Sequence, residues 1–279
     1  MAPSDPPPIL AGKRYDAPSA FKPENLLREA RRQKGLPARA VPEVCVLDPD
    51  GDIVRRLLSD GRARPHDGWA CYHTELYVAE PNAAETGGAV FANPIGLIGR
   101  AVGAPFAVLV AEQLFASGCR LLVSMTSAGR IAPVRTPPYF VLIERALRDE
   151  GTSYHYLPPD DFSDAPGDVL AALDGAFDGI DIPVLRGAAW TTDAPFRETD
   201  AAIDAMRLRG ILAVEMEAAA LYAFARARDA RVVCFAHVTS QMGQIEGDFE
   251  KGHADGATDA LRVIAAAVRR LAPARTEPA

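Results

Sequence analysis

An α/β fold, a three-layer sandwich of helices around a central β-sheet, follows from two features of the 279-residue sequence. Short apolar runs alternate along the chain with longer helix-forming segments, an order that builds one sheet with helices on its faces. Hydrophobic residues make up 48 % of the chain with a mean hydropathy near zero, the composition of a globular protein. A chain of this length buries most of its apolar surface. We divide it into an extension over 1–40, one domain over 41–272, and a tail over 273–279 expected to be disordered.

The extension holds many of the 23 prolines and one basic helix, Pro23–Lys34, opened by proline in its first turn and closed by Gly35. It is expected to pack on the domain or on a neighbouring subunit. Strands follow at 44–47, 74–80 and 89–97, where β-branched and aromatic residues cluster. A helix at 105–117 leads into a strand at 120–125, and a second helix is expected at 139–149. Pro158–Gly167 reads as a surface loop before a strand at 184–190. Thr199 is a natural N-cap and Gly210 a natural C′ residue for a helix at 199–209. The strand 211–216, the Ala-rich helix 217–228, the strand 231–239 and the helix 255–271 complete the order.

Charge and composition exclude several classes. A net charge of −7 and a pI near 5.3 argue against general nucleic-acid binding, although a local arginine site can still take a small anion. No apolar run reaches bilayer length, since Glu112 and Gln113 interrupt Val108–Leu114, and the start of the chain lacks a signal-peptide core. Cys45, Cys71, Cys119 and Cys234 lie far apart and read as buried thiols of a reducing cytoplasm. The five histidines show no paired metal spacing, so no metal is expected.

The most informative stretch is Ile211-Leu-Ala-Val-Glu-Met-Glu-Ala-Ala-Ala-Leu-Tyr222, which places Glu215, Met216 and Glu217 where a strand turns into a helix. In open α/β sheets the C-terminal edge of the strands is where ligands bind. A carboxylate in such apolar sequence needs donors, because an unpaired buried charge is costly. Two adjacent sugar hydroxyls would serve, with Met216 over the apolar face of the ring. The same carboxylates would equally suit the positive end of the following helix.

Four segments occur together with this one: Gly103-Ala-Pro-Phe-Ala107, Leu121-Leu-Val-Ser-Met-Thr-Ser-Ala-Gly129, Arg148-Asp-Glu-Gly-Thr-Ser-Tyr-His-Tyr156 and Gly187-Ala-Ala-Trp-Thr-Thr-Asp-Ala-Pro-Phe-Arg197. In this order, across roughly residues 43 to 271, they resemble the nucleoside phosphorylase/uridine phosphorylase superfamily. The resemblance implies a mixed, partly barrel-like sheet and a homo-oligomer, dimer-based or hexameric, with active sites near subunit contacts. It implies that inorganic phosphate, with no cofactor, attacks the anomeric carbon of a nucleoside to release the base and a sugar 1-phosphate. Glu217 would hold the ribose 2′ and 3′ hydroxyls, with Met216 and Glu215 in the same motif. Phosphate would lie near Gly51, Arg55 and Thr126, where a glycine exposes backbone N–H groups and an arginine fork grips oxygens. Pro49-Asp-Gly51 is also an ordinary turn sequence. His155 is a candidate for the base pocket.

Two positions depart from the family pattern. Phosphorylases of this kind place an arginine three residues ahead of the residue matched by Thr126, and here that position is Val123. Arg62, Arg64 and Arg130 are candidate replacements; otherwise phosphate is not the nucleophile. Purine-cleaving members carry an acidic residue at the position of Ser240, and a serine cannot protonate a departing purine. This leans towards a uridine-like leaving group, with Gln241 and Arg197 as donors and Phe196 stacked on the base. Asp193, Phe196 and Arg197 fit equally well a turn that caps the next helix. A nucleosidase using water, or a nucleoside-binding module without catalysis, are the alternatives.

Overall fold

Alternate side chains of the first strand divide between two apolar layers. In the computed structural model, which describes residues 6–81, 91–241, 246 and 248–271, β1 (Val44–Asp48) is buried throughout. Val44 and Val46 pack into one layer and Cys45 and Leu47 into the other. A strand buried on both faces is what a sheet covered by helices on both sides requires. The further strands are β2 (Ala63–Pro65), β3 (Tyr77–Ala79), β4 (Ile95–Gly99), β5 (Leu121–Arg130), β6 (Tyr139–Asp149), β7 (Phe162–Asp164), β8 (Val184–Thr192), β9 (Ile211–Glu215) and β10 (Val232–Ser240). The helices are α1 (Pro23–Lys34), α2 (Asp52–Ser59), α3 (Ala104–Ala116), α4 (Gly167–Ala172), α5 (Asp200–Leu208), α6 (Ala218–Arg228) and α7 (Ala257–Leu271). Side chains of α3 and α6 fill the layer of Cys45 and Leu47, whereas α2, α4 and α7 fill that of Val44 and Val46. The chain is thus the expected mixed α/β/α sandwich.

Part of the sheet closes on itself. β5 pairs with β10, β10 with β6, β6 with β8, β8 with β9, and β9 returns to β5 through Gly129↔Val214 and Arg130↔Ala213. The length of β5 makes this possible: residues 121–124 pair with β1, and its last two residues, beyond the reach of β1, are free to pair with β9. β1, β4, β3 and β2 extend from this five-strand barrel as an open arm.

Residues 139–149, expected as a helix, form strand β6 instead. The charged residues Glu144, Arg145, Arg148 and Asp149 favour a helix in isolation, but Tyr139, Val141 and Ile143 enter one apolar layer while Phe140 and Leu142 enter the other. Only a two-residue period delivers that alternation. The ladder with β8 shifts register between Ile143 and Arg145. Tyr222 of α6 serves the backbone there, its hydroxyl donating to the Ile143 carbonyl at 2.5 Å and accepting from the Cys234 amide at 3.0 Å.

The other expected elements are present with shifted ends, and α2, α4, β2 and β7 are additional; β7 lies inside the stretch expected as a surface loop. Thr199 caps α5 by accepting from the Ala202 amide at 3.2 Å, and Gly210 follows in a left-handed conformation with φ of 74°. The first residues of the expected 89–97 strand and the expected tail lie outside the described residues. Within the extension, Leu27 and Ala30 bury against Ala70, and Lys34 Nζ donates to the Cys71 carbonyl at 2.6 Å. Among the described residues no helix is long and apolar enough to cross a membrane, and the four cysteines are free and buried.

Candidate active site

β9 ends and α6 begins within three residues, and that junction carries both carboxylates. Glu215 closes β9 and Glu217 holds the N-cap position of α6. Residues Ala218–Ala225 of α6 are all buried, so the helix runs straight into the core and draws its first turn inside. Glu215 Oε2 accepts from the amides of Glu217 and Ala218, each at 2.7 Å. Its Oε1 accepts from the Thr191 hydroxyl on β8, and Thr191 Oγ1 in turn accepts from the Ala219 amide at 2.9 Å. Glu215 therefore satisfies the exposed donors of a helix start that has no access to water.

Glu217, only 1 % exposed, is held differently. Its Oε1 accepts from the amide of Gly103, the residue preceding α3, at 2.7 Å, and its Oε2 from the Met216 amide at 3.3 Å. Burial raises the affinity of Glu217 for a proton; the Gly103 amide and the Thr126 hydroxyl pull the other way. Glu215 is raised by burial and then by the charge of Glu217. The two carboxylates, alike in sequence, divide into one that caps a helix and one fixed by the amide that precedes α3.

The end of β1 is also acidic. Asp48 accepts from the Gly51 amide at 3.2 Å and the Val54 amide at 2.9 Å, and burial pushes its carboxyl up to about 7. Lys251 Nζ bridges Asp50 at 3.1 Å and Asp52 at 2.6 Å. Arg55 joins Asp52 and, at 3.0 Å, Asp255. His237 lies buried with its ring stacked on Phe140, and burial, followed by the Lys251 charge, pushes it down to about 4, so it is neutral near pH 7.

The structure thus brings Glu217, Met216 and Thr126 together, with Asp50 close enough to act on Glu217 electrostatically. Gly51 and Arg55 line a cavity of about 410 Å³ with His73, Tyr77, Arg100 and Phe106. Val123 is fully buried in an apolar layer, paired with Val46 of β1 and Val233 of β10. Of the arginines considered as its replacement, Arg64 pairs with Glu80 at 2.7 Å and Arg130 donates to Gln241 Oε1. Ser240 ends β10, buried and opposite Gly129, and the Gln241 amide donates to Asp248 at 2.9 Å. Phe196, fully exposed, and Arg197 sit on a one-turn helix at Pro195–Arg197, and neither takes part in the hydrogen bonds that hold Glu217. His155 lies elsewhere, its Nδ1 2.9 Å from Lys13 Nζ, beside a cavity of about 730 Å³ under the extension.

Sequence reading missed Gly103, Asp50, Lys251 and Arg100. Gly103 had a signal, since Ala104-Pro105 opens a helix and leaves amides free. The Lys251–Asp50 pair spans 201 positions and had none. Among the described residues no group of three or more His, Cys, Asp or Glu side chains forms a metal-binding set.

A family profile described as the phosphorylase superfamily matches residues 43–272. A guanosine phosphorylase from Halorubrum lacusprofundi is 28 % identical over 130 residues, 47 % of this chain and 54 % of that protein. The chain therefore spans about half the length of this curated relative. The crystal structure of uridine phosphorylase from Vibrio fischeri ES114 superposes with a TM-score of 0.65 at 21 % identity over 83 % of this chain and 92 % of that chain. The same protein complexed with 6-hydroxy-1-naphthoic acid gives a TM-score of 0.66 at 19 % identity over 83 % and 91 %. At these identities the likeness is one of fold.

Proposed function

The chain belongs to the phosphorylase superfamily, and from that premise we propose that it cleaves the N-glycosidic bond of a nucleoside with inorganic phosphate, as a cytoplasmic homo-oligomer without metal or cofactor. The observation that carries the reading is Glu217: a buried carboxylate, fixed by the Gly103 and Met216 amides, beside the Thr126 hydroxyl. A carboxylate so placed has lone pairs left for two sugar hydroxyls, and their donation would return it to the charged form that burial disfavours. Met216, half-buried next to it, would cover the sugar.

As the bond to the base lengthens, the sugar gains positive charge, which Glu217 and Asp50 are placed to stabilise. Phosphate would be met by the Gly51 backbone, Arg55 and Thr126. Arg55 is half-exposed, and its pairs with Asp52 and Asp255 are of the kind worth ~0–1 kcal/mol, so an incoming phosphate can displace them. Ser240 offers no acid for a purine, which supports a uridine-like base received by Gln241, with Phe196 and Arg197 closing over it.

A second reading replaces phosphate by water. Val123 in an apolar layer, and Arg55 and Lys251 each bound by two carboxylates, favour it. The deciding experiment is base release from uridine, thymidine, cytidine, inosine, adenosine and 5′-methylthioadenosine with and without inorganic phosphate. Release that requires phosphate supports the phosphorolytic reading; equal release without it establishes hydrolysis; binding without release removes both.

A further inference from the structure

We propose that Arg100 supplies the second cation of the phosphate site, in place of the arginine absent at position 123; this rests on the phosphorolytic reading. Arg100 directly follows β4, the parallel neighbour of β1, and so stands at the sheet edge where ligands bind. Its amide donates to the Asp48 carbonyl at 2.9 Å, which fixes its main chain to the loop carrying Gly51. A Cβ added to Gly51 would lie 3.2 Å from Arg100 Cγ and 3.5 Å from its Nε. The arginine stem therefore lies on the Gly51 backbone, and Arg100 lines the same cavity of about 410 Å³ as Arg55.

The balance of charge around Gly51 shows why a second cation matters. Arg55 is already engaged with Asp52 and Asp255, and Lys251 with Asp50 and Asp52, on and beside the loop that carries Gly51. A phosphate dianion arriving there would find little uncompensated positive charge. Arg100 is exposed, and its guanidinium makes no hydrogen bond or ion pair among the described residues. It also has a φ of 64°, a left-handed conformation that strains an arginine and not a glycine. An uncommitted guanidinium, held with that strain beside Arg55, forms with it the two-fork arrangement that grips phosphate oxygens.

The test compares wild type with Arg100→Gln and Arg100→Lys. KM for inorganic phosphate is measured at fixed ionic strength, with calorimetric titration of nucleoside into phosphate-free protein. The expected result is a rise of at least about tenfold in KM for phosphate in Arg100→Gln, the effect of removing one charged hydrogen-bonding group. Nucleoside affinity should stay within about twofold, with partial recovery in Arg100→Lys because lysine keeps the charge but not the fork. A folded Arg100→Gln protein whose phosphate KM matches wild type overturns the role of Arg100 while leaving phosphorolysis intact. Wild-type release that is indifferent to phosphate overturns both, and the wild-type assay alone tells the two failures apart.

Discussion

The amide of Gly103 donates to Glu217 Oε1 at 2.7 Å across 114 positions of sequence. This bond joins the start of α3 to the start of α6, helices that pack in the same apolar layer. It sets the carboxylate in one orientation before any ligand arrives, which spares the cost of ordering it on binding. Packing of two helices against one sheet face thereby fixes the carboxylate on which the proposed site is built.

Removing that carboxylate separates function from fold. Glu217→Ala should lower kcat/KM for nucleoside cleavage at least ~100-fold, about 2.7 kcal/mol of transition-state stabilisation. Glu217→Gln retains an acceptor for Gly103 but not the charge, so it should lose activity while keeping more of its melting temperature than Glu217→Ala. Turnover unchanged in both variants would remove Glu217 from the chemistry.

Glu215 should behave in the opposite sense. It receives two amides at 2.7 Å and the Thr191 hydroxyl, all in the interior. Glu215→Ala leaves those donors unpaired, and buried unsatisfied donors cost about 1–3 kcal/mol each. A lowered melting temperature and a shallower helical signal are expected, measured by circular dichroism. A Glu215→Ala protein as stable as wild type would mean that α6 does not depend on this cap.

How much of this was legible in sequence depends on how local each signal is. Thr199 and Gly210 announced the ends of α5 because a cap acts within one turn. The strand-to-helix junction at Glu215–Glu217 was legible for the same reason, but not the division of labour between its carboxylates, which depends on Thr191 and Gly103 far away in the chain. Residues 139–149 misled because charged residues on a central strand look helical until both faces are known to be covered. Barrel closure rests on two residue pairs between β5 and β9 and leaves no mark in either strand alone. Arg100 carries no motif; only its φ and its place on Gly51 single it out.

Phe196 offers a test of the base site that stability cannot confound. Its side chain is fully exposed, so Phe196→Ala should change folding free energy by no more than about 0.5 kcal/mol. If the ring stacks on a bound base, KM for nucleoside should still rise by about fivefold or more, since such stacking is worth roughly 1–3 kcal/mol. Steady-state kinetics with an unchanged nucleoside KM would assign Phe196 to the surface alone.

Asp48 makes a prediction about pH. Its carboxyl ionises near 3.8 in an unfolded chain and at about 7 in the folded one, because burial disfavours the charge. Between those values the folded state keeps a proton that the unfolded state has lost. The stabilisation is therefore whole below 3.8 and drains away as the pH rises to about 7. At roughly 1.4 kcal/mol for each tenfold change in proton affinity, the loss reaches a few kcal/mol at most. Asparagine cannot titrate, so the melting temperature of Asp48→Asn should fall less between about pH 5 and about pH 8 than that of wild type. Glu215 and Glu217 add the same slope to both proteins, and the difference between the two curves isolates Asp48. Parallel curves would show that Asp48 is already ionised beneath α2, held by the Gly51 and Val54 amides strongly enough to offset its burial.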